Sequence, residues 1–488
     1  MWTKPQVLIG NERMISMKER KFTHPYIPNS YPEVQKQMMD EIGIDSIYDL
    51  FSEIPEELRF KGKMEIPEPI LSEASLVRHM EKILSRNQTV NEFVSFLGAG
   101  CYQHYVPAIC DEIASRSEFL TAYAGEPYED HGRFQALFEY QSMMGELLDM
   151  DVCNVPTYDW CQAAATALRM AGRITGRKKV LVSKNVNPQR LSAIENYCYP
   201  VMEVILVDYC SETGCLNLSD LEEKIACDVG AIYFENPNYF GLIETSGQRV
   251  ADIVHANGSL LVVGVDPITL GVLAPPSQYG ADIAVGDVQT LGIHMNYGGG
   301  MAGFIASQDR EEFVAEYPSR LFGIAHTEVP GEWGFGDVFY DRTSFAKREE
   351  GKEFVGTAAA LWGITAGVYL ALMGPYGMEE IGKTVMQKSL YAAKEISKLK
   401  GVRVNDFGGC FFKEFLVNFD GTGLAVRDIN ESLREKGILG GKDLSLEFPE
   451  LGETALYCVT EVHTEEDILA LCRGLDQAIQ ELKEVGSK

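Results

Sequence analysis

The sequence predicts an α/β protein. A large domain with a mostly parallel sheet is followed by a small C-terminal α+β domain and preceded by a helical arm. Three observations carry this. Between Val152 and Ser307, short apolar, β-branched runs alternate with helical segments. The first part of the chain is cut into short helical pieces by prolines. From Val402 onward, strand-like and amphipathic helical stretches alternate again on a smaller scale. The length agrees, since 488 residues exceed one ordinary hydrophobic core.

Residues 1–70 read as the arm. Pro25, Pro28, Pro32, Pro55, Pro67 and Pro69 interrupt its helical periods, and pieces this short bury little by themselves. They must lie on another surface, of this chain or of a partner. In "YPEVQKQMMDEIGI" the helical spacing predicts that Met38, Met39 and Ile42 face inward.

Residues 71–345 make up the large domain. "SEASLVRHMEKILSRN" reads as a capped helix. "FVSFLGAGCYQHYVPAICDEIASR" gives an apolar run, a Gly-Ala-Gly turn and a helix. "FLTAYAGEPYEDHGRFQALFEYQSMMGELLDM" gives a polar, aromatic loop and a long amphipathic helix. The runs "KKVLVSK", "MEVILVDY", "VGAIYFENPN", "GSLLVVGVD" and "ADIAVGD" then predict parallel strands covered on both faces. Ligands of such sheets collect at the carboxyl ends of the strands, where Asn236, Asp266 and Asp287 fall. A glycine- and acid-rich stretch, "HTEVPGEWGFGDVFYDRTSF", closes the domain. Residues 346–488 supply a connecting helix around "GTAAALWGITAGVYLALMG". The α+β domain follows, with strands "VRVNDF", "FKEFLVNF" and "TALYCVT" and helices "AVRDINESLREKG" and "TEEDILALCRGLDQAIQELKEVG".

Composition narrows the function. A net charge of -28 repels nucleic acid and anionic membranes. No apolar run reaches the ~18 residues of a membrane span, and the N-terminal stretch lacks a signal-peptide pattern. The expectation is a soluble cytoplasmic protein. The 11 cysteines form no C-x-x-C pair, so neither a metal site nor a disulfide is expected.

The candidate site is defined partly by what it lacks. From Ile225 to Ala346 there is no lysine. The turn after "ADIAVGD" offers Asp287, Gln289, Thr290 and His294, none of which has the primary amine that an imine requires. Asp266 reads first as a turn carboxylate that caps the helix after Pro267. In "NVPTYDWCQAAATALRMAG" a helix start would attract an anion. Asp159, beside Tyr158, can occupy that position itself and repel phosphate. In "GAGCYQHY", Gly98 and Gly100 allow close backbone approach, and Tyr102, His104 and Tyr105 supply donors. The segment reads equally as a turn reaching into a neighbouring chain's site and as a packed turn with one structural histidine. "TAYAGEPYEDHGR" carries Tyr123, His131 and Arg133 as a substrate-side loop, where Arg133 suits a carboxylate. His24 reads as a surface histidine, and "YGGGMAGF" matches no phosphate-loop pattern.

Long stretches resemble one family: "PYIPNS", "IGIDSIYDLFSEIPEELRF", "FLGAGCYQHYVPA", "GRFQALFEYQSMMGELL", "NPNYFGLIE", "PPSQYGADIAVGD", "YGGGMAGF", "VYLALMGPYG", "KGILGG" and "YCVTEVHTEEDI". The chain resembles the glycine cleavage system P-protein family, specifically subunit 1 of its two-subunit form. The resemblance implies fold type I pyridoxal-phosphate architecture and a homologous subunit 2 that supplies the Schiff-base lysine. It implies glycine decarboxylation, with the aminomethyl group passed to a lipoylated H-protein, and pyridoxal phosphate held by the partner, not covalently by this chain. On this reading no residue here is itself catalytic. Gly98, Gly100, Tyr102, His104, Tyr123, His131 and Arg133 line a substrate or interface pocket. Tyr158, Asp159, Asn236, Asp266, Thr290 and His294 are vestigial cofactor-site positions. Two stretches depart from the family pattern, Ala124–His131 and Val355–Gly363. They leave open a diverged paralogue acting on another small amino acid, or a non-catalytic scaffold subunit.

Overall fold

The computed structural model describes residues 26–62, 64–120, 131–344, 349–350, 353, 355 and 358–486. The chain divides into two compact units, at Asn87/Gln88.

The first unit contains helices α1 (Pro32–Ile42) and α2 (Glu73–Leu84), joined by 3-10 turns. Pro32 sits at the start of α1, where its missing N–H costs nothing, and Gly43 ends it at φ 74°. Ser72 caps α2 by accepting from the Ser75 amide at 3.4 Å. None of the described residues of this unit is buried. The inward face expected in α1 is therefore corrected: Met38 and Ile42 are exposed. Periodicity locates an apolar stripe but not the surface that covers it, and the described residues of this unit form no core of their own.

The second unit is built on a seven-stranded sheet. Its strands are β1 (Val152–Cys153), β2 (Lys179–Ser183), β3 (Glu203–Val207), β4 (Val229–Glu235), β5 (Leu260–Val265), β6 (Ile283–Asp287) and β7 (Gly303–Ser307). The order is β1-β7-β6-β5-β4-β2-β3. The pairs from β3 through β6 are parallel, and β7 and β1 close one edge antiparallel. Strands β4 and β6 are buried along their whole length, as continuous apolar runs in a doubly covered sheet require. Helix α3 (His131–Leu148) lies in one covering layer and α4 (Trp160–Thr175) in the other. Alanines 163, 164, 165, 167 and 171 of α4 are fully buried; side chains this small let the helix axis approach the strands closely. Helix α5 (Pro188–Cys198) packs beside α4.

Helix α6 (Ala360–Ile396) leads to the small lobe and is broken at Gly374 (φ 58°), just before Pro375. The small lobe has an antiparallel sheet of β8 (Arg403–Val404), β9 (Glu414–Asn418), β10 (Lys442–Asp443) and β11 (Thr454–Cys458), in the order β8-β9-β11-β10. Helix α7 (Glu465–Gly486) covers it. Val94–Ser95 pairs in parallel with Ile438–Leu439, which seats the start of the second unit on the small lobe. A β-hairpin, Phe322–His326 with Trp333–Asp337, runs into the glycine- and acid-rich stretch. Among the described residues no helix is long and apolar enough to cross a membrane.

Candidate functional site

The site lies at the carboxyl ends of β4, β5 and β6, where the small lobe and the Gly98–Tyr105 segment meet the sheet. Asp266 follows β5 and caps the next turn by accepting from the Ile268 amide at 3.1 Å through Oδ1. Thr290, after β6, donates to the same oxygen at 3.1 Å. The other oxygen, Oδ2, lies 2.5 Å from Nζ of Lys413, immediately before β9. The ammonium and Oδ2 form a close, buried ion pair. Burial alone would raise the Asp266 carboxyl, but Lys413, His104 and the Ile268 amide together outweigh it and hold it below the usual carboxylate range.

Lys413 is 4% exposed and has three neighbours. Beyond Asp266, its Nζ lies 3.3 Å from His104 Nε2 and 3.2 Å from the centroid of the Tyr102 ring. An ammonium only donates, so His104 Nε2 accepts and Nδ1 carries the proton. Nδ1 lies 2.7 Å from Glu461 Oε2, and the Tyr105 amide donates to Glu461 Oε1 at 2.6 Å. The Tyr102 hydroxyl donates to Glu414 Oε2 at 2.9 Å, and the Ala99 amide donates to Glu414 Oε1 at 2.6 Å. Burial and then the facing Glu414 push the Tyr102 hydroxyl well above its ordinary value. Gln289 clasps the Tyr102 backbone, accepting from its amide at 3.0 Å and donating to its carbonyl at 2.9 Å. Gly98 admits no side chain: a Cβ there would lie 2.4 Å from Glu414 Oε1 and 2.7 Å from Cys458 Cβ.

A second ion pair completes the floor. Arg190 of α5 meets Glu235, at the end of β4, through Nε (2.5 Å) and Nη2 (2.8 Å), and its guanidinium lies 4.0 Å above the Trp160 ring. Tyr233 donates to Glu235 at 3.0 Å and accepts from the Trp160 indole at 3.0 Å. The cavity among these side chains is ≈ 20 Å³, room for about one water. At the start of α4, Asp159 Oδ1 accepts from the Gln162 amide at 2.7 Å, so a carboxylate already satisfies that helix terminus. Asp287 accepts from the amides of Trp160, Gln289 and Ala302. Burial still pushes its carboxyl up to about 7.

These residues do not fit pyridoxal phosphate. The turn after β6 carries no primary amine, Asp159 caps the anion-attracting helix end, and the pocket is filled by Lys413, Trp160 and the Arg190–Glu235 pair.

The sequence-derived candidates divide accordingly. Gly98, Gly100, Tyr102, His104, Asp266 and Thr290 belong to one connected network. Asn236 is buried but serves a local turn: its side-chain amide donates to the Glu244 carbonyl and accepts from the Glu244 amide. His294 is exposed and pairs with Asp111 at 3.0 Å. Tyr158 is exposed on an open cleft of ≈ 570 Å³ shared with Gly298, Gly299 and Ala358–Trp362. Arg133 donates from Nε to the Glu118 carbonyl at 2.7 Å. Tyr123, the side chain of His131 and the Ala124–Asp130 stretch lie outside the described residues. Lys413, Glu414, Glu461, Arg190 and Glu235 were not anticipated. The one local hint was "FFKEF", a charged pair set inside an apolar strand.

Comparison with known proteins accounts for this architecture. The sequence profile of the glycine cleavage system P-protein matches residues 24–475. The chain is 40% identical over 470 residues to a probable glycine dehydrogenase (decarboxylating) subunit 1 of Staphylothermus marinus, covering 94% of this chain and 99% of that one. It is 37% identical over 454 residues to the protein of the same name from Desulfitobacterium hafniense, covering 93% and 99%. A crystal structure of glycine decarboxylase (P-protein) in inhibitor-bound form superposes with a TM-score of 0.81 at 32% identity, covering 93% of this chain and 100% of that chain. A sphingosine-1-phosphate lyase of Burkholderia pseudomallei shares the fold alone, with a TM-score of 0.64 at 13% identity. The fold is that of fold type I pyridoxal-phosphate-dependent enzymes. With a matching profile and full-length relatives, the chain belongs to the glycine cleavage system P-protein family.

Proposed function

We propose that this chain is the lysine-free subunit of a two-subunit glycine dehydrogenase (decarboxylating). A homologous second subunit binds pyridoxal phosphate through a Schiff-base lysine, and a lipoylated H-protein accepts the aminomethyl group. The observation that carries this reading is the filled pocket: Asp266 faces Lys413 across 2.5 Å and the cavity beside them is ≈ 20 Å³. A chain with the fold of a coenzyme enzyme and no room for the coenzyme contributes to chemistry elsewhere. When bound in the partner, the coenzyme supplies an electron sink for the charge left by departing CO2. This chain supplies shape and rigidity at the partner's site through the Gly98–Tyr105 turn. Tyr105, 65% exposed, projects from it.

The first unit supports an assembled protein. Tyr48, Leu58, Phe60 and Leu71 are each at least 70% exposed, and a chain with so many uncovered apolar side chains needs a surface to lie on. The second subunit is that surface.

The test is turnover by the coexpressed pair. CO2 release from glycine, dependent on lipoylated H-protein, is expected from the pair and from neither chain alone. Release from alanine or serine with glycine inert would identify the diverged paralogue. An unchanged rate after Tyr102→Phe and Tyr105→Ala, with the pair still assembled, would favour the scaffold reading.

A further inference from the structure

We propose that Lys413 is a positioning residue. It stands in the pocket that a coenzyme fills in enzymes of this fold, and it holds the Gly98–Tyr105 turn in the shape presented to the second subunit. The inference rests on the reading above that this turn serves the partner's site. Its structural half, that Lys413 fixes the turn, stands on this chain alone.

The contacts form one chain of command. Asp266 is anchored at the end of β5 by the Ile268 amide and the Thr290 hydroxyl, both at 3.1 Å. Its free oxygen takes the Lys413 ammonium at 2.5 Å. The ammonium faces His104 Nε2 at 3.3 Å, which fixes the imidazole tautomer. That tautomer places a proton on Nδ1, 2.7 Å from Glu461, and the second Glu461 oxygen accepts from the Tyr105 amide at 2.6 Å. Thr460 donates to the Gln103 carbonyl at 2.6 Å. Glu414, next to Lys413, accepts from Ala99 and Tyr102. The turn thus hangs from 413–414 and 460–461 of the small lobe, and the Lys413–Asp266 pair ties that lobe to the sheet.

Tension in the backbone gives this anchoring a purpose. Ala99 has φ 62° and Gly100 φ 117°, a conformation that a non-glycine residue adopts only when its surroundings enforce it. Lys413, a side chain of the same polypeptide, bridges Asp266 to the turn, so the turn needs no ligand to be ordered.

The experiment has two arms. In the isolated full-length chain, amide hydrogen exchange is followed for residues 98–105 in the wild type, Lys413→Met, Lys413→Arg and the double variant Lys413→Met/Asp266→Asn. Lys413→Met is expected to speed exchange at these amides by about tenfold or more relative to core strand amides. Lys413→Arg is expected to retain part of the protection. The neutral double variant relieves the unpaired carboxylate, so it should regain thermal stability while the turn stays fast. Unchanged exchange in Lys413→Met, or a turn restored together with stability in the double variant, overturns the inference. In the second arm, the same variants are coexpressed with the lysine-bearing subunit. A fall in kcat/KM for glycine, with coenzyme absorbance and assembly intact, is expected wherever the turn is loosened. A loosened turn with unchanged kcat and KM would show that Lys413 orders a turn the partner does not use, which refutes the reading it rests on and leaves the ordering role standing.

Discussion

At the scale of single residues, charge placement decides what this pocket can hold. The Arg190–Glu235 pair is buried on both sides, and two ions survive there because each has its counter-ion and a further hydrogen-bonded or stacked neighbour. Removing one member is costly. Arg190→Met should lower stability by about 3–5 kcal/mol by leaving Glu235 unpaired, and adding Glu235→Gln should recover much of that loss. Chemical denaturation of the two variants beside the wild type measures both. At Gly98, whose would-be Cβ meets Glu414 and Cys458, substitution by Ala should cost about 1–3 kcal/mol. It should also disturb the Ala99–Glu414 hydrogen bond. The residue scale is also where sequence reading divides most sharply. Asp159 was legible as a helix cap because capping is a rule about neighbours in sequence, and the cap is present. Lys413 was not legible: its partners, Asp266 and His104, are remote in sequence, and no local rule links them. "FFKEF" signalled only that a charge was to be buried somewhere.

Elements carry the next level of behaviour. The turn between β11 and α7 holds Glu461, whose carboxyl burial would raise. The facing His104 and the Tyr105 amide outweigh burial and hold it at about 2 against an ordinary 4.5. A carboxyl depressed on folding stabilises the folded state above its unfolded value, and the contribution is lost as pH falls through the folded one. Glu461→Gln should therefore be less stable than the wild type by about 1.5–3 kcal/mol at neutral pH, the worth of hydrogen bonds to a charged group. The difference should shrink below about pH 4.5 and vanish near pH 2, as denaturant midpoints measured across that range would show. A constant difference at all pH values would remove the ionic basis of this anchor. Alternating strands and helices were readable for β2 through β6 because buried parallel strands are continuous apolar runs. The hairpin of Phe322–His326 with Trp333–Asp337 was not, since its glycines resemble loop composition. In α1 the apolar stripe was legible, yet among the described residues Met38 and Ile42 stay exposed.

For the whole molecule, a single prediction summarises the filled pocket. Incubated with pyridoxal phosphate and reduced with borohydride, the isolated chain should carry adducts on exposed lysines such as Lys184 but none on the buried Lys413. Peptide mass spectrometry checks this, and an adduct on Lys413 would show that the pocket opens. Removal of residues 1–87 should leave the second unit folded, with a melting temperature within a few degrees of the full chain, because the compact core lies beyond Asn87. The same truncation should abolish co-purification with the lysine-bearing subunit.

The uncovered first unit also bears on how such a protein is made. Its apolar segments leave the ribosome before any of the sheet exists, and none of the described residues of that unit is buried. A copy that finds no companion exposes an accessible, greasy leader to proteases and holdase chaperones. Cells would thus clear surplus copies, and the abundance of one polypeptide would set that of the other without any dedicated regulator.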